Sequence, residues 1–146
     1  MPVIHRNALV PYTANEMFSL VDGVLLYPDF LPWCKSSKEW SRDQDEVKAS
    51  IELQRGVIHK KFTTINRLQY GKMIEMKLVE GPFRNLEGFW KFENLDEHSC
   101  KVSLDLEYEF SNRLIKMALG PVFDHVTNTL VDSFCQRAKE VYGNRR

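Results

Sequence analysis

The side chains that could perform catalysis or bind a metal are scattered along the chain. Four histidines occur without metal-ligand spacing to one another or to a cysteine: His5, His59, His98 and His125. Cys34 follows Trp33, but no histidine lies near it in sequence to activate the thiol, which favours a buried structural cysteine. The sequence contains no glycine motif of a nucleotide-binding loop or a nucleophile elbow. We therefore expect no catalytic residue, no metal and no catalytic cofactor.

Two aromatic segments have the chemistry of an apolar binding site. Residues 27–33 (YPDFLPW) combine three aromatic side chains with two prolines, which predicts a stiff bend. Residues 80–83 (EGPF) form a turn before an aromatic strand in which Gly88 indicates a bulge or a close approach by another group. Aromatic side chains at the mouth of a groove would bind an apolar ligand, although ordinary core packing explains both segments equally well.

A basic set falls on neighbouring predicted strands and turns. Its members are Arg55, Lys60, Lys61, Arg67 and Lys72. Such a set could dock on an anionic surface such as ribosomal RNA, because binding of that kind depends on neutralising phosphates. A solvated sheet face is the alternative interpretation.

The elements that must position these residues are mainly antiparallel strands. Residues 3–10 predict a first strand that Pro11 ends. Apolar and polar residues alternate through residues 38–110, most regularly from Cys100 to Phe110, which indicates strands with one dry and one wet face. Turn residues at 55–56, 70–72, 80–82 and 96–97 fall at hairpin spacing. The region should hold about six strands, so that the sheet has about seven strands in total.

Helices are predicted at two places. Thr13 and Glu16 fit a capping box, and the helix that follows should end near Gly23, with a short second helix from Val24. A long C-terminal helix begins after Asn112, and Gly120-Pro121 should kink it. Its predicted apolar stripe comprises Leu114, Met117, Val122, Val126, Leu130, Phe134, Ala138 and Val141.

Length and composition predict one domain over residues 1–146. The chain has 20 basic and 20 acidic residues, which argues against a surface that binds DNA as a whole. Its first residues lack a signal peptide, no apolar run is long enough for a membrane span, and its three cysteines form no disulfide framework. We expect a cytoplasmic α+β protein whose curved sheet wraps the long helix and leaves a groove between them.

Three segments together resemble the coenzyme Q-binding START-like family. They are the bend at residues 27–34, the 80–83 turn with Leu86 and Gly88-x-Trp90-x-Phe92, and Phe110-Ser111-Asn112 leading into the helix that ends at residues 137–142. The likeness runs from about Val3 to Tyr142 and implies a helix-grip (START/Bet v 1-like) fold. The resemblance implies two different functions. Eukaryotic members bind ubiquinone and support respiration, whereas a bacterial branch is described as binding the large ribosomal subunit and blocking its association with the small one.

The leading hypothesis is non-enzymatic binding of ubiquinone or a similar isoprenoid in the groove, with transient membrane contact left open. The expected ligand-binding residues are Phe30, Leu31, Trp33, Leu78, Phe83, Trp90, Leu104, Tyr108, Val122, Val126 and Leu130. The alternative is a ribosome-association inhibitor that contacts RNA through the basic set. An aromatic cyclase is disfavoured because it needs a polar residue inside the groove, where Tyr108 is the main candidate.

Overall fold

The computed structural model describes residues 3–144, which form one seven-stranded antiparallel sheet and three helical segments. The strands are β1 (Val3–Val10), β2 (Cys34–Arg42), β3 (Glu46–Arg55), β4 (Ile58–Gln69), β5 (Met73–Glu80), β6 (Phe83–Asn94) and β7 (Cys100–Phe110). The helices are α1 (Ala14–Asp22), a 3₁₀ helix (Val24–Asp29) and α2 (Arg113–Tyr142). The strand order is β1-β7-β6-β5-β4-β3-β2, so the two helices after β1 connect opposite edges of the sheet. The predicted α+β architecture is confirmed.

Strand β7 shows why the alternating residues fold as a one-sided sheet. Every second residue from Cys100 to Phe110 is buried, while the residues between them are partly exposed. The neighbouring strand β6 approaches β7 closely at Gly88, where an added Cβ would lie 2.7 Å from the carbonyl oxygen of Asp105. The prediction of a close approach at Gly88 is confirmed, because only a residue without a side chain fits there.

The capping box at the start of α1 forms as predicted. The Thr13 Oγ1 atom accepts a hydrogen bond from the Glu16 backbone N–H at 3.2 Å, and the Thr13 N–H donates to Glu16 Oε1 at 3.0 Å. The helix ends at Gly23, and the 3₁₀ helix that follows continues through Pro28 to Asp29. These caps fix the chain direction that brings residues 24–33 to the inner side of the sheet.

The predicted apolar stripe of α2 is wrong at three of its eight positions. Leu114, Met117 and Val141 are 78 %, 69 % and 49 % exposed, whereas Leu119 and Phe123 are buried. With 3.6 residues per turn, Leu114 lies about 180° around the helix from Phe123, so these apolar residues are on opposite faces. Helix α2 continues through Pro121 without interruption.

None of the helices within residues 3–144 is long and apolar enough to cross a membrane.

Candidate functional site

An apolar cavity of about 80 Å³ lies between the inner face of the sheet, the 3₁₀ helix and α2. From α2 it is lined by Phe123, Val126, Thr127, Leu130 and Phe134, and from the helical bend by Val24, Tyr27 and Trp33. The sheet contributes Ala49, Ile51, Phe62, Thr64, Asn66, Met76, Leu86, Trp90 and Leu106. Curvature of the sheet toward α2 therefore brings residues from five strands around one space.

Four of the eleven predicted ligand-binding residues line this cavity: Trp33, Trp90, Val126 and Leu130. Leu31, Leu104 and Tyr108 do not line it and are fully buried in the surrounding core. Phe83 belongs to an aromatic cluster beside the cavity, and Leu78 and Val122 are partly buried against the core. Phe30 lies instead in a shallow depression at the surface, with its ring 5.3 Å from that of Phe134.

The sequence reasoning omitted the lining residues of β3, β4 and β5. The signal for two of these strands was present, since Ala49 and Ile51 belong to the alternating run of β3 and Met76 belongs to that of β5. Strand β4 alternates poorly in residue type, because Thr64 and Asn66 are polar although they face the cavity. Because polar residues lie on the buried face of this strand, its sequence does not show the alternation of apolar and polar residues that predicts a strand.

Polar atoms at the cavity wall are mostly occupied by neighbouring groups. The Thr64 hydroxyl donates to Asn66 Oδ1 at 2.9 Å, and the Thr127 hydroxyl donates to the Asp124 carbonyl oxygen at 3.2 Å. The exception is Trp33, which is 6 % exposed and whose indole Nε1 has no hydrogen-bond partner within residues 3–144. An indole N–H can only donate, and this one has no acceptor among the described residues.

Phe123 is the centre of an aromatic cluster that closes one end of the cavity. Its ring centroid lies 4.9 Å from that of Phe83 and 4.7 Å from that of Tyr108. The Tyr108 hydroxyl donates to Asp124 Oδ1 at 2.7 Å, and burial together with this hydrogen bond raises the pKa of Tyr108 to about 12. Tyr108 is therefore a protonated core residue at neutral pH, and it does not line the cavity.

The described cysteines have the environment of structural thiols. Burial raises the pKa of Cys34 and that of Cys100 to about 11, which keeps both thiols protonated at neutral pH. No group of three or more histidine, cysteine, aspartate or glutamate side chains in the described part of the chain is arranged to hold a metal ion.

The predicted basic set is distributed over both faces and both ends of β4. Lys60 shares the inner side of the strand with the cavity residues Phe62, Thr64 and Asn66, whereas Lys61 and Arg67 alternate to the outer side. Arg55 ends β3 next to one end of β4, and Lys72 lies in the turn at the other end. Arg67 Nε also lies 3.6 Å from Glu46 Oε2. The structure thus does not bring these five residues into one patch.

An exposed tryptophan on the outer face was missed. Trp40 is 51 % exposed, with the Lys38 Nζ atom 3.8 Å and the Lys61 Nζ atom 5.7 Å from the centroid of its ring system. Its indole Nε1 donates to the Ser50 hydroxyl at 2.7 Å. The local sequence Lys-x-Trp gave a weak signal, because only the register of β2, β3 and β4 places Lys61 beside it.

Comparison with known proteins shows to which family this chain belongs. The profile described as "Polyketide cyclase / dehydrase and lipid transport" matches residues 10–135. The chain belongs to this family. Within it, the chain is 45 % identical over 140 residues to the ribosome association toxin RatA of Pseudomonas aeruginosa, covering 96 % of this chain and 97 % of that protein.

More distant relatives support the fold and include a second branch of the family. The aromatase/cyclase Zhui from Streptomyces superposes with a TM-score of 0.83 at 13 % identity, covering 99 % of each chain, which confirms the predicted helix-grip (START/Bet v 1-like) fold. The mitochondrial coenzyme Q-binding protein COQ10 of Dictyostelium discoideum is 25 % identical over 137 residues, covering 91 % of this chain and 67 % of that protein. The predicted resemblance to a family with coenzyme Q-binding and ribosome-association branches is confirmed.

Proposed function

We propose that this protein is a cytoplasmic, non-enzymatic inhibitor that binds the large ribosomal subunit and prevents it from joining the small subunit. The observation that carries the proposal is the 45 % identity to a ribosome association toxin over nearly the full length of both chains. The partner follows from that relative's name, and the choice of subunit follows from the family resemblance in the sequence. This reverses the order of the two hypotheses, because the quinone-binding relative is only 25 % identical.

The chemistry of the described residues supports a binding role. The hydroxyl of Tyr108 and the thiols of Cys34 and Cys100 remain protonated at neutral pH. His5 and His59 contact Asp105 and Glu52 respectively, on the exposed outer side of the sheet and away from the cavity. These residues are not assembled into a nucleophile, base and substrate pocket, so action on the ribosome would proceed by occupying a surface.

Sucrose-gradient sedimentation of purified subunits tests this proposal. Subunits would be mixed with the protein before Mg²⁺ is raised to promote their association. We expect fewer complete ribosomes, with the protein sedimenting in the large-subunit fraction, while gel analysis shows intact ribosomal RNA. Unchanged association with the protein at the top of the gradient would refute the proposal. Cleaved ribosomal RNA would refute its non-enzymatic part.

A second candidate function is binding of a small apolar ligand with a hydrogen-bond acceptor, such as the ring of ubiquinone or a related isoprenoid. It is supported by the apolar cavity, by the Trp33 Nε1–H, which has no partner among residues 3–144, and by the similarity to a coenzyme Q-binding protein. The volume of about 80 Å³ is well below the roughly 300–1,000 Å³ of pockets that hold drug-sized ligands. The cavity would therefore hold part of a ring, and a long prenyl tail would remain outside or require the walls to move.

Solvent extraction of protein purified from its own host, followed by mass spectrometry, tests the ligand candidate. A short-chain ubiquinone should also quench tryptophan fluorescence, since Trp33 and Trp90 line the cavity. Trp33→Phe keeps an aromatic side chain, although a smaller one, and removes the donor, so it should weaken binding by about 2- to 10-fold, the value of one hydrogen bond. The absence of both an extracted lipid and a binding signal would exclude this function.

A further inference from the structure

We propose that the outer face of strands β2 to β5 binds an unpaired stretch of RNA, with a base stacking at Trp40 and phosphates neutralised by Lys38, Lys48, Lys61 and Lys77. These five residues are termed the Trp40 patch. The inference rests on the proposed ribosomal function and names the surface and the RNA chemistry that would serve it.

Trp40 is held in a fixed position on the face of the sheet that is exposed to solvent. The pairing of β2 with β3 shifts between Glu39 and Ser41, and this irregularity lets Trp40 lie toward Ser50. The Ser50 hydroxyl, which accepts from the indole, is itself 2.5 Å from the Thr63 hydroxyl. Ser50 and Thr63 are only 2 % and 3 % exposed although they lie on the outer side of their strands. The indole therefore covers them and leaves half of its own surface in solvent.

The lysines around this indole form no ion pairs with other residues of the range 3–144. Lys38 and Lys61 lie near the ring, and Lys48 and Lys77 flank Ile65 in the next row across the sheet. None of the four has a carboxylate oxygen within 4.0 Å in the described residues. Phosphates could bind them without first breaking salt bridges, which makes their positive charge available to a polyanion.

The acidic residues of the same face give the patch an orientation. Glu52 pairs in register with Lys61, but it is already bound by the Ser36 hydroxyl at 2.7 Å and by His59 Nε2 at 2.6 Å. Hydrogen bonds from Ser36 and then His59 hold the pKa of Glu52 below its usual value. Glu87 of β6 lies opposite Lys77 in the pairing of β5 with β6, and Glu46 and Glu75 share the outer side of β3 and β5 with the patch. Further across the sheet, the outer side of β7 carries Asp105, Glu107 and Glu109. These three carboxylates would repel RNA, so a polyanion should align along β2 to β5.

The combination of a fixed indole and lysines without ion pairs fits unpaired RNA better than duplex nucleic acid. Lys38, whose Nζ atom lies 3.8 Å from the centroid of the indole, would move aside for a base to stack there. Duplex bases are stacked on each other, whereas unpaired bases can stack on an aromatic side chain while lysines contact the backbone. An anionic membrane would also attract lysines and tryptophan. However, the Trp40 indole is hydrogen-bonded down to Ser50 at the sheet surface, which opposes its insertion between lipids.

Binding of fluorescently labelled single-stranded RNA tests the patch directly. Four phosphate contacts predict that the logarithm of the affinity falls with the logarithm of salt concentration with a slope of about −2.8, at about −0.7 per contact. The double variant K38Q/K61Q should reduce this slope by about half. Trp40→Leu should weaken binding by about 5- to 100-fold, the range for loss of one stacked base. The matched control is K91Q/K101Q, which removes two lysines from the β6–β7 half of the outer face.

The outcomes separate this inference from the proposed function. Equal RNA affinities of K38Q/K61Q and K91Q/K101Q, both verified as folded by circular dichroism, would overturn the patch. Tighter binding of wild type to phosphatidylglycerol vesicles than to RNA, lost in K38Q/K61Q, would overturn RNA as its partner. If wild type blocks subunit association and K38Q/K61Q blocks it equally well, the patch fails and the ribosomal function stands. If wild type does not block association, the ribosomal function fails, and the RNA titration still decides the patch.

Discussion

Replacing Phe123 by alanine should lower the free energy of unfolding by about 4–5 kcal/mol, near the upper end of the range for buried phenylalanine. Phe123 is 4 % exposed and forms tilted or edge contacts with the rings of Phe83 and Tyr108 at 4.9 and 4.7 Å. Such ring pairs each contribute roughly 0.5–1.5 kcal/mol beyond the buried area. The vacated volume also adjoins the existing cavity, so the loss of packing is not compensated.

The matched control is Met117→Ala on the same helix. Met117 is 69 % exposed, and its replacement should change the free energy of unfolding by no more than about 0.5 kcal/mol. Both variants would be measured by urea unfolding. With an m-value of about 2 kcal/mol/M, Phe123→Ala should lower the midpoint by about 2 M, while Met117→Ala leaves it nearly unchanged. Equal midpoints for the two variants would refute the assignment of the buried face of α2.

Three further predictions concern the scaffold. Gly88→Ala should lower the melting temperature by about 3–9 °C, because the new Cβ would lie 2.7 Å from the Asp105 carbonyl oxygen; an unchanged value by calorimetry would contradict the close approach. Thr13→Ala should cost about 1 kcal/mol in urea unfolding through loss of the capping box, and Thr13→Ser should restore most of it. Burial raises the pKa of the Cys34 and Cys100 thiols from the ordinary value of 9.0 to about 11 in the folded protein. Their contribution to the free energy of unfolding should therefore be complete below pH 9.0 and should decline as the pH rises toward 11. The Cys34→Ala/Cys100→Ala variant should lose less stability than wild type over that pH window, and parallel urea midpoints would contradict this.

Local sequence signals were sufficient for several elements of this fold. The alternation from Cys100 to Phe110 predicted both the strand and its buried side, because each residue type there matches the environment that a one-sided sheet provides. Thr13 and Glu16 predicted the start of α1, because the capping interaction needs only residues three apart. These features depend on neighbours in the chain and not on the rest of the structure.

Long-range packing explains what the sequence did not reveal. The apolar side chains of Leu114 and Met117 suggested a buried stripe, but their angle around α2 turns them away from Leu119 and the sheet. The cavity depends on how far the sheet curves toward α2, so core residues such as Leu104 could not be separated from lining residues such as Leu106. Both residues are leucines, and both lie on the same side of β7.

The positions of charged residues on the outer face also depend on long-range strand pairing. Lys60 and Lys61 are adjacent in sequence, but alternation along β4 places them on opposite sides of the sheet. The position of Trp40 depends on the irregular pairing of β2 with β3, which no local motif encodes. A basic set defined only by its place on neighbouring strands and turns therefore combined residues that belong to different surfaces.

Light scattering during subunit association, with the protein titrated in, tests the central claim most directly. If the protein occupies the joining surface of the large subunit, the yield of complete ribosomes should fall to a plateau reached near one protein per large subunit. Preincubation with the large subunit should give stronger inhibition than preincubation with the small one. Full association at a large molar excess of folded protein would contradict the account.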